Sequence, residues 1–155
     1  MIAFLIGCSQ PQNPLTTPQQ QKQSFENALL QAVSPWLGTP YKWGGTTKDG
    51  VDCSGFVLNI YAEFGVKLPR CSRQQREIGR EVKEIRCGDL VFFMLPGKSS
   101  HVGIFLGKGN FVHSSKSKGV RVSSLDSKFW KQHLITARRV KQTNRKDFYH
   151  ENRCM

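Results

Sequence analysis

At Gly88 the spacing of the apolar residues changes, and that change restricts the fold more than any other feature of the chain. Before it, apolar residues recur at helical intervals. Phe25, Ala28, Leu29, Ala32, Val33, Trp36 and Leu37 make one stripe, closed by Pro35 and by Gly38-Thr39-Pro40. Cys53, Phe56, Val57, Ile60, Tyr61 and Phe64 make a second, and Gly65 stands where a left-handed stop belongs. Beyond Gly88, residues 89–94, 101–106, 110–113, 119–122 and 134–140 are short β-type runs divided by Gly, Pro, Ser or Lys. Helices followed by antiparallel strands give an α+β layout. A chain of 155 residues has room for one domain with a real core, expected here over 24–140.

Between the stripes, Tyr41-Lys42-Trp43-Gly44-Gly45 reads as a loop with two aromatics and a glycine pair, followed by a polar turn at 46–50. Ser72-Arg73-Gln74-Gln75 has the Ser-x-x-Gln form of a capping box, which predicts a short helix over 73–79. The ends differ in composition from the middle. Residues 9–23, SQPQNPLTTPQQQKQ, have the Gln, Pro and Thr content of a flexible tether, and 141–155 read as a basic, polar tail outside the core. No internal repeat is visible, and no run after residue 8 approaches the ~18 apolar residues of a membrane span.

Residues 1–8, MIAFLIGC, end in Leu5-Ile6-Gly7-Cys8, which looks like a bacterial lipobox, the site at which a signal peptide is cut and Cys8 lipidated. An ordinary signal peptide also has a basic start and ~7–15 apolar residues, so the expectation is a start codon placed late. Lipid, tether and domain then follow in a coherent order.

The formal net charge of +12 and pI near 9.8 imply a polyanionic partner: nucleic acid, an acidic membrane surface or an anionic polymer such as cell wall. No zinc-finger spacing, glycine-aromatic RNA-binding motif or basic region running into heptads accompanies the charge, so a nucleic-acid partner is not expected. Five cysteines, at 8, 53, 71, 87 and 154, contain no CxxC pair. That argues against a metal knuckle, and their odd number argues against a complete disulfide framework, although Cys71 and Cys87 remain a possible pair.

Cys53 has two readings. It is a buried core thiol, or it is a nucleophile in the first turn of a helix, where free N–H groups and the helix dipole favour a thiolate titrating well below ~8.5. Strand alternation puts His101 on the face of Gly103 and Phe105, opposite Val102, Ile104 and Leu106. His113 closes the next run, so a hairpin could bring the two imidazoles together. Each is equally readable as an ordinary, partly exposed histidine. Together with Cys53 they have the makings of a cysteine hydrolase, with a thiol, a base and a second ring holding the first in its tautomer.

TPYKWGG, DCSGFV, LPR with its Ser-x-x-Gln, GDLVFF, HVGIF and FVHSS, in this order, resemble the motifs of the NlpC-type cysteine peptidases of bacterial cell walls, over about residues 25–140. The resemblance implies a papain-like α+β fold, N-terminal helices on a central antiparallel sheet of about five to six strands. It implies Cys53 as nucleophile, His101 as general base and acid, His113 as orienting residue and Tyr41 as the hydroxyl that helps hold the oxyanion. Asp52 and Ser54 match substrate-lining positions, and Arg70 and Ser72 are weaker candidates for that role. Cys71 departs from the Ser or Thr that usually follows LPR. The implied reaction is hydrolysis of an amide of a peptidoglycan stem peptide, either the D-Glu–diaminopimelate bond or a cross-link. It needs no cofactor or metal, and a monomer suffices. The implied location is the periplasmic face of an outer membrane, through the lipid on Cys8.

The rival readings are a silent wall-binding module, a related amidase or acyltransferase, a zinc site made of Cys53, His101 and His113, and a nucleic-acid binder resting on charge alone. Lipid acyltransferases of the same superfamily carry their His before their Cys. Here Cys53 precedes both histidines.

Overall fold

The computed structural model describes residues 17–141. The Cys8 lipobox, residues 9–16 of the expected tether and residues 142–155 of the expected tail lie outside the described residues.

Helix α1, Pro18–Val33, begins six residues earlier than the composition suggested, so 18–23 are helical and not tether. Thr17 caps it: its hydroxyl accepts from the Gln20 N–H at 3.3 Å, and the Gln20 side chain accepts from the Thr17 N–H at 2.8 Å. With Pro18 in the first turn, this reciprocal cap supplies a defined start to a glutamine-rich segment that carries no apolar stripe of its own. Leu29, Ala32 and Val33 are the buried residues of the helix. It closes through a 3₁₀ turn at Ser34–Trp36.

A two-stranded hairpin follows, β1 Thr46–Thr47 with β2 Gly50–Val51, and then α2, Cys53–Glu63. Phe56, Val57, Ile60 and Tyr61 of α2 are fully buried, and Gly65 beyond its end takes the predicted positive φ of 73°. Each such side chain contributes ~1.5–3 kcal/mol on leaving water, which fixes α2 against the sheet.

Helix α3 is a single turn, Ser72–Gln75, shorter than the helix expected over 73–79, and the capping box there is not formed. Cys71 holds the N-cap position without a capping bond to the backbone, Ser72 is already helical, and its hydroxyl bonds Ser100 Oγ at 3.1 Å. The Gln75 amide turns inward, donating to the carbonyls of Ser54 and Pro69 at 3.0 and 2.8 Å. The motif serves tertiary contacts between α3, α2 and the sheet.

The remaining elements are β3 Arg80–Glu81, β4 Leu90–Leu95, β5 Ser99–Gly107, β6 Asn110–Ser115, β7 Gly119–Ser124, α4 Lys128–His133 and β8 Leu134–Arg139. They form one six-stranded antiparallel sheet in the order β3-β8-β4-β5-β6-β7. This is the α+β arrangement expected from the change of period, with two-residue β3 added at one edge. Period-2 alternation divides the strand side chains between two clusters. Leu90, Phe92, Val102, Ile104 and Val112 pack with Leu29, Val33, Phe56, Val57 and Ile60 of the helices. Val91, Phe93, Phe105, Phe111 and Ala137 form a second cluster, against which Trp130 of α4 packs. Among the described residues no helix is long and apolar enough to cross a membrane.

Candidate active site

The start of α2 is built by Asp52. As N-cap its Oδ1 accepts from the Gly55 N–H at 2.7 Å, which ends the extended strand and turns the chain into the helix with Cys53 as first residue. The same carboxylate gathers the surrounding loops: Gly44 N–H donates to Oδ2 at 2.9 Å, and the Arg70 guanidinium grips both oxygens at 3.0 and 2.7 Å. Arg70 also donates to Ser54 Oγ at 3.0 Å and to the Gly45 carbonyl at 3.3 Å. Burial by itself would raise the Asp52 carboxyl, but the hydrogen bonds from Arg70, Gly55 and Gly44 outweigh it and hold the group below the usual carboxylate range. The glycine of DCSG is steric: a Cβ on Gly55 would lie 2.4 Å from the Gly45 carbonyl oxygen. The aromatic loop can seat on the helix start only because neither side of that contact bulges.

Cys53 is 8% exposed. The N–H groups of Val102, Ser54 and Cys53 itself face its sulfur and favour a thiolate, yet burial, reinforced by the nearby Asp52 charge, prevails and pushes the thiol up. The expectation of a thiol well below the free-cysteine value is therefore corrected. In the unliganded protein the first-turn donors do not overcome desolvation, and Cys53 rests as a neutral thiol.

Val102 is the residue after His101, so the thiol sits against the strand position next to that histidine. Among the described residues no hydrogen bond joins the thiol to either imidazole. The two imidazoles do meet: His101 Nε2 and His113 Nδ1 are 2.8 Å apart. Register explains this, because β5 and β6 pair antiparallel with Ile104 opposite Val112, and Gly103 between them leaves the space. A Cβ on Gly103 would fall 2.7 Å from the Phe111 ring and 3.2 Å from the His113 Cβ. Both rings are buried in an aromatic enclosure. Trp130 stacks on His101 at 5.7 Å and meets His113 edge-on at 4.8 Å, with Phe111 stacked on His113 at 4.9 Å. Burial, helped by Lys116, pushes the His101 pKa down to about 4. Burial, helped by His101 and Arg121, pushes that of His113 down to about 3. Both are neutral at neutral pH, the state in which a histidine can accept a proton.

Tyr41 forms an isolated bridge with Val51, and its phenol is raised by burial and by neighbouring Cys53 and Asp52. Tyr41 therefore lies within electrostatic reach of Cys53. Ser54 is buried and donates to Asp52 Oδ1 at 3.2 Å, while Ser72 joins the site only through Ser100, beside His101. Cys71 and Cys87 are free thiols, the first exposed and bonded to Gln74 Oε1, so the possible disulfide is not formed. Among the described residues no group of three or more His, Cys, Asp or Glu is placed to hold a metal ion.

Two participants had little sequence signal. Trp130 stands in SKFWKQH, too short for a periodic stripe, although Ser127 ahead of it is a recognisable N-cap. Ser123 bonds His113 Nε2 at 3.0 Å from the neighbouring strand, a diagonal contact that only register reveals. A cavity of about 1070 Å³ between α1 and the end of β8 is lined by Phe25, Ile78, Cys87 and Val140 among others, and by none of these site residues.

Comparison with known proteins adds the following. The family model described as NlpC/P60 family matches residues 38–139. The "Probable endopeptidase NlpC homolog" of Haemophilus influenzae is 43% identical over 118 residues, 74% of this chain and 63% of that protein. The "Murein DD-endopeptidase MepS/Murein LD-carboxypeptidase" of Escherichia coli is 40% identical over 134 residues, 79% of this chain and 71% of that protein. Among solved structures, an NlpC/P60 family protein from Bacillus cereus superposes with a TM-score of 0.68 at 34% identity, covering 74% of this chain and 39% of that one. The chain thus spans somewhat under two thirds of the Haemophilus relative and well under half of the Bacillus protein.

Proposed function

The chain belongs to the NlpC/P60 family, and from that premise we propose that it is a cysteine peptidase of peptidoglycan, hydrolysing an amide bond of the stem peptides. The observation that carries this reading is the buried His101–His113 pair, 2.8 Å between ring nitrogens, with His101 on the strand whose Val102 N–H faces the Cys53 thiol.

His113 engages Nε2 of His101 and leaves Nδ1 as the basic nitrogen for the Cys53 proton. Because both groups are neutral at rest, Cys53 must pass its proton to His101 in the course of the reaction. The thiolate adds to the carbonyl carbon. N–H groups at the start of α2 and the Tyr41 hydroxyl donate to the developing oxyanion, where each donor is typically worth ~10²–10³ in rate. The His101 imidazolium returns its proton to the departing amine, and water, deprotonated by His101, releases the thioester. Two features favour an anionic peptide: the partly exposed guanidinium of Arg70 at the site and the overall charge of +12. Ser54, bonded to the same Asp52–Arg70 pair, and Ser72, linked through Ser100, are the further residues assigned to substrate binding.

The proposed setting is the cell envelope, with the protein acting as a monomer. Attachment through a lipid on Cys8, and placement at the outer membrane, rest on the Leu5-Ile6-Gly7-Cys8 pattern with Ser9 after it. The alternative of a silent wall-binding module is disfavoured by the retention of the whole Cys53, His101, His113 and Tyr41 set. Mass spectrometry of purified cross-linked and monomeric muropeptides after incubation with the protein decides between them. Loss of a mass matching one stem-peptide bond is expected and names that bond, whereas binding without cleavage would establish the silent module.

A further inference from the structure

The relay does not end at His113. Its Nε2 lies 3.0 Å from the hydroxyl of Ser123, on the edge strand β7, opposite Phe111 and diagonal to His113. We propose that Ser123 is a positioning residue whose oxygen accepts the His113 Nε2–H, holding His113 in the tautomer that lets His101 work as a base. The inference rests on the peptidase reading for its kinetic consequence, but the tautomer it assigns is a property of the protein alone.

Proton counting carries the argument. Two neutral imidazoles joined Nε2 to Nδ1 share one hydrogen, which sits on one ring or the other. If His113 carries it on Nδ1, His101 must carry its own hydrogen on Nδ1, the nitrogen assigned to the Cys53 proton, and it is then no base in that direction. If His101 carries it on Nε2, its Nδ1 lone pair is free, and His113 must be protonated on Nε2. The second arrangement is also the only one that survives proton uptake. Once His101 has taken a proton, both its nitrogens are donors, so His113 has to offer a lone pair at Nδ1 and its hydrogen has to be at Nε2. A hydrogen at Nε2 of a ring packed between Phe111 and Trp130 needs an acceptor, and the Ser123 oxygen is the partner the structure provides. A serine hydroxyl can also donate, which would favour the wrong tautomer. Its own hydrogen is free to point toward solvent, because Ser123 is half-buried on an edge strand.

Among the described residues, the charged side chains that act on this pair are both cationic. Arg121 on β7 faces His113 across the β6–β7 ladder, and Lys116 at the β6–β7 turn acts on His101. Among the described residues no carboxylate acts on either ring, so the orienting role that a buried aspartate fills in other triads falls here to a neutral ring and a neutral hydroxyl.

The test needs two readouts. In the full chain labelled with ¹⁵N at histidine, long-range proton–nitrogen correlation spectra at pH 7 should show His113 protonated at Nε2 and bare at Nδ1. In Ser123→Ala that pattern should shift toward Nδ1–H or a mixture, with kcat on a muropeptide falling about tenfold or more and KM little changed. Ser123→Thr, which keeps the hydroxyl and suits a strand, should restore both. Wild-type His113 protonated at Nδ1, or Ser123→Ala with unaltered nitrogen shifts and kcat, would overturn the assignment. A wild-type protein that shows the assigned tautomer but cleaves nothing would overturn the peptidase reading and leave the Ser123 contact standing.

Discussion

Replacing Arg70 with Met tests how the start of α2 is held. Arg70 makes two charge-assisted hydrogen bonds to Asp52, at 3.0 and 2.7 Å, and further bonds to Ser54 Oγ and the Gly45 carbonyl. Hydrogen bonds to charged groups are worth ~1.5–3 kcal/mol each where they are shielded. Here the Arg70 side chain is 39% exposed, so solvent screens part of the gain. Asp52 also keeps its bonds from Gly44, Gly55 and Ser54 when Arg70 is gone. The net loss is about 2 kcal/mol, which for a domain of this size lowers Tm by roughly 8 °C. The pH dependence has a definite sign. Asp52 is held below its unfolded value, so its contribution is complete above about pH 4 and disappears as the pH falls through the lower folded value. Removing Arg70 lets that folded value rise, so the wild type and variant differ most at pH 6–8 and converge in acid. Calorimetry of both proteins from pH 3 to 8 measures this. A gap below about 2 °C at pH 7, or one that widens in acid, would refute the view that this ion pair organises the helix start.

Gly103→Ala should cost ~1–3 kcal/mol by overpacking, because the new methyl meets the Phe111 ring and the Val112 carbonyl, and activity should fall further as His113 is displaced; thermal unfolding and muropeptide turnover check both. The histidines titrate at about 4 and about 3 when folded but near 6.5 when unfolded, so stability should be complete above pH 6.5 and fall steadily as the pH drops toward 4. A urea-midpoint series should show this slope reduced in His113→Gln, and equal slopes would count against the buried neutral pair. With Cys53 buried as a neutral thiol, iodoacetamide at pH 6 should label exposed Cys71 well before it; peptide mapping that finds Cys53 modified first would contradict the neutral resting state.

Sequence periodicity was informative where one face of an element had to be apolar. The α2 stripe predicted the helix from Cys53 and its stop at Gly65, and alternation predicted that His101 shares a face with Gly103 and Phe105. Composition misled at 18–23, where many Gln and few apolar residues suggested a tether, although Thr17-Pro18-Gln19-Gln20 carries a capping box as legible as the one wrongly assigned to Ser72. The two motifs look alike because capping geometry depends on where the side chain can turn, and at Ser72 the hydroxyl is drawn to Ser100 instead. The Cys53 pKa was not legible, since desolvation depends on what the rest of the chain stacks over the thiol. Nor was Ser123, whose place beside His113 follows from the register of β6 on β7 and leaves no trace in local pattern.

The most direct test of the central claim is to trap the acyl-enzyme. Wild-type protein mixed with a stem-peptide substrate, quenched in acid within milliseconds to seconds and digested, should yield the Cys53 peptide carrying the mass of the acyl fragment. The adduct should be released by hydroxylamine and absent from Cys53→Ala, which should also form no product. Product formation that persists in Cys53→Ala, or an acyl mass on a different residue, would contradict the account.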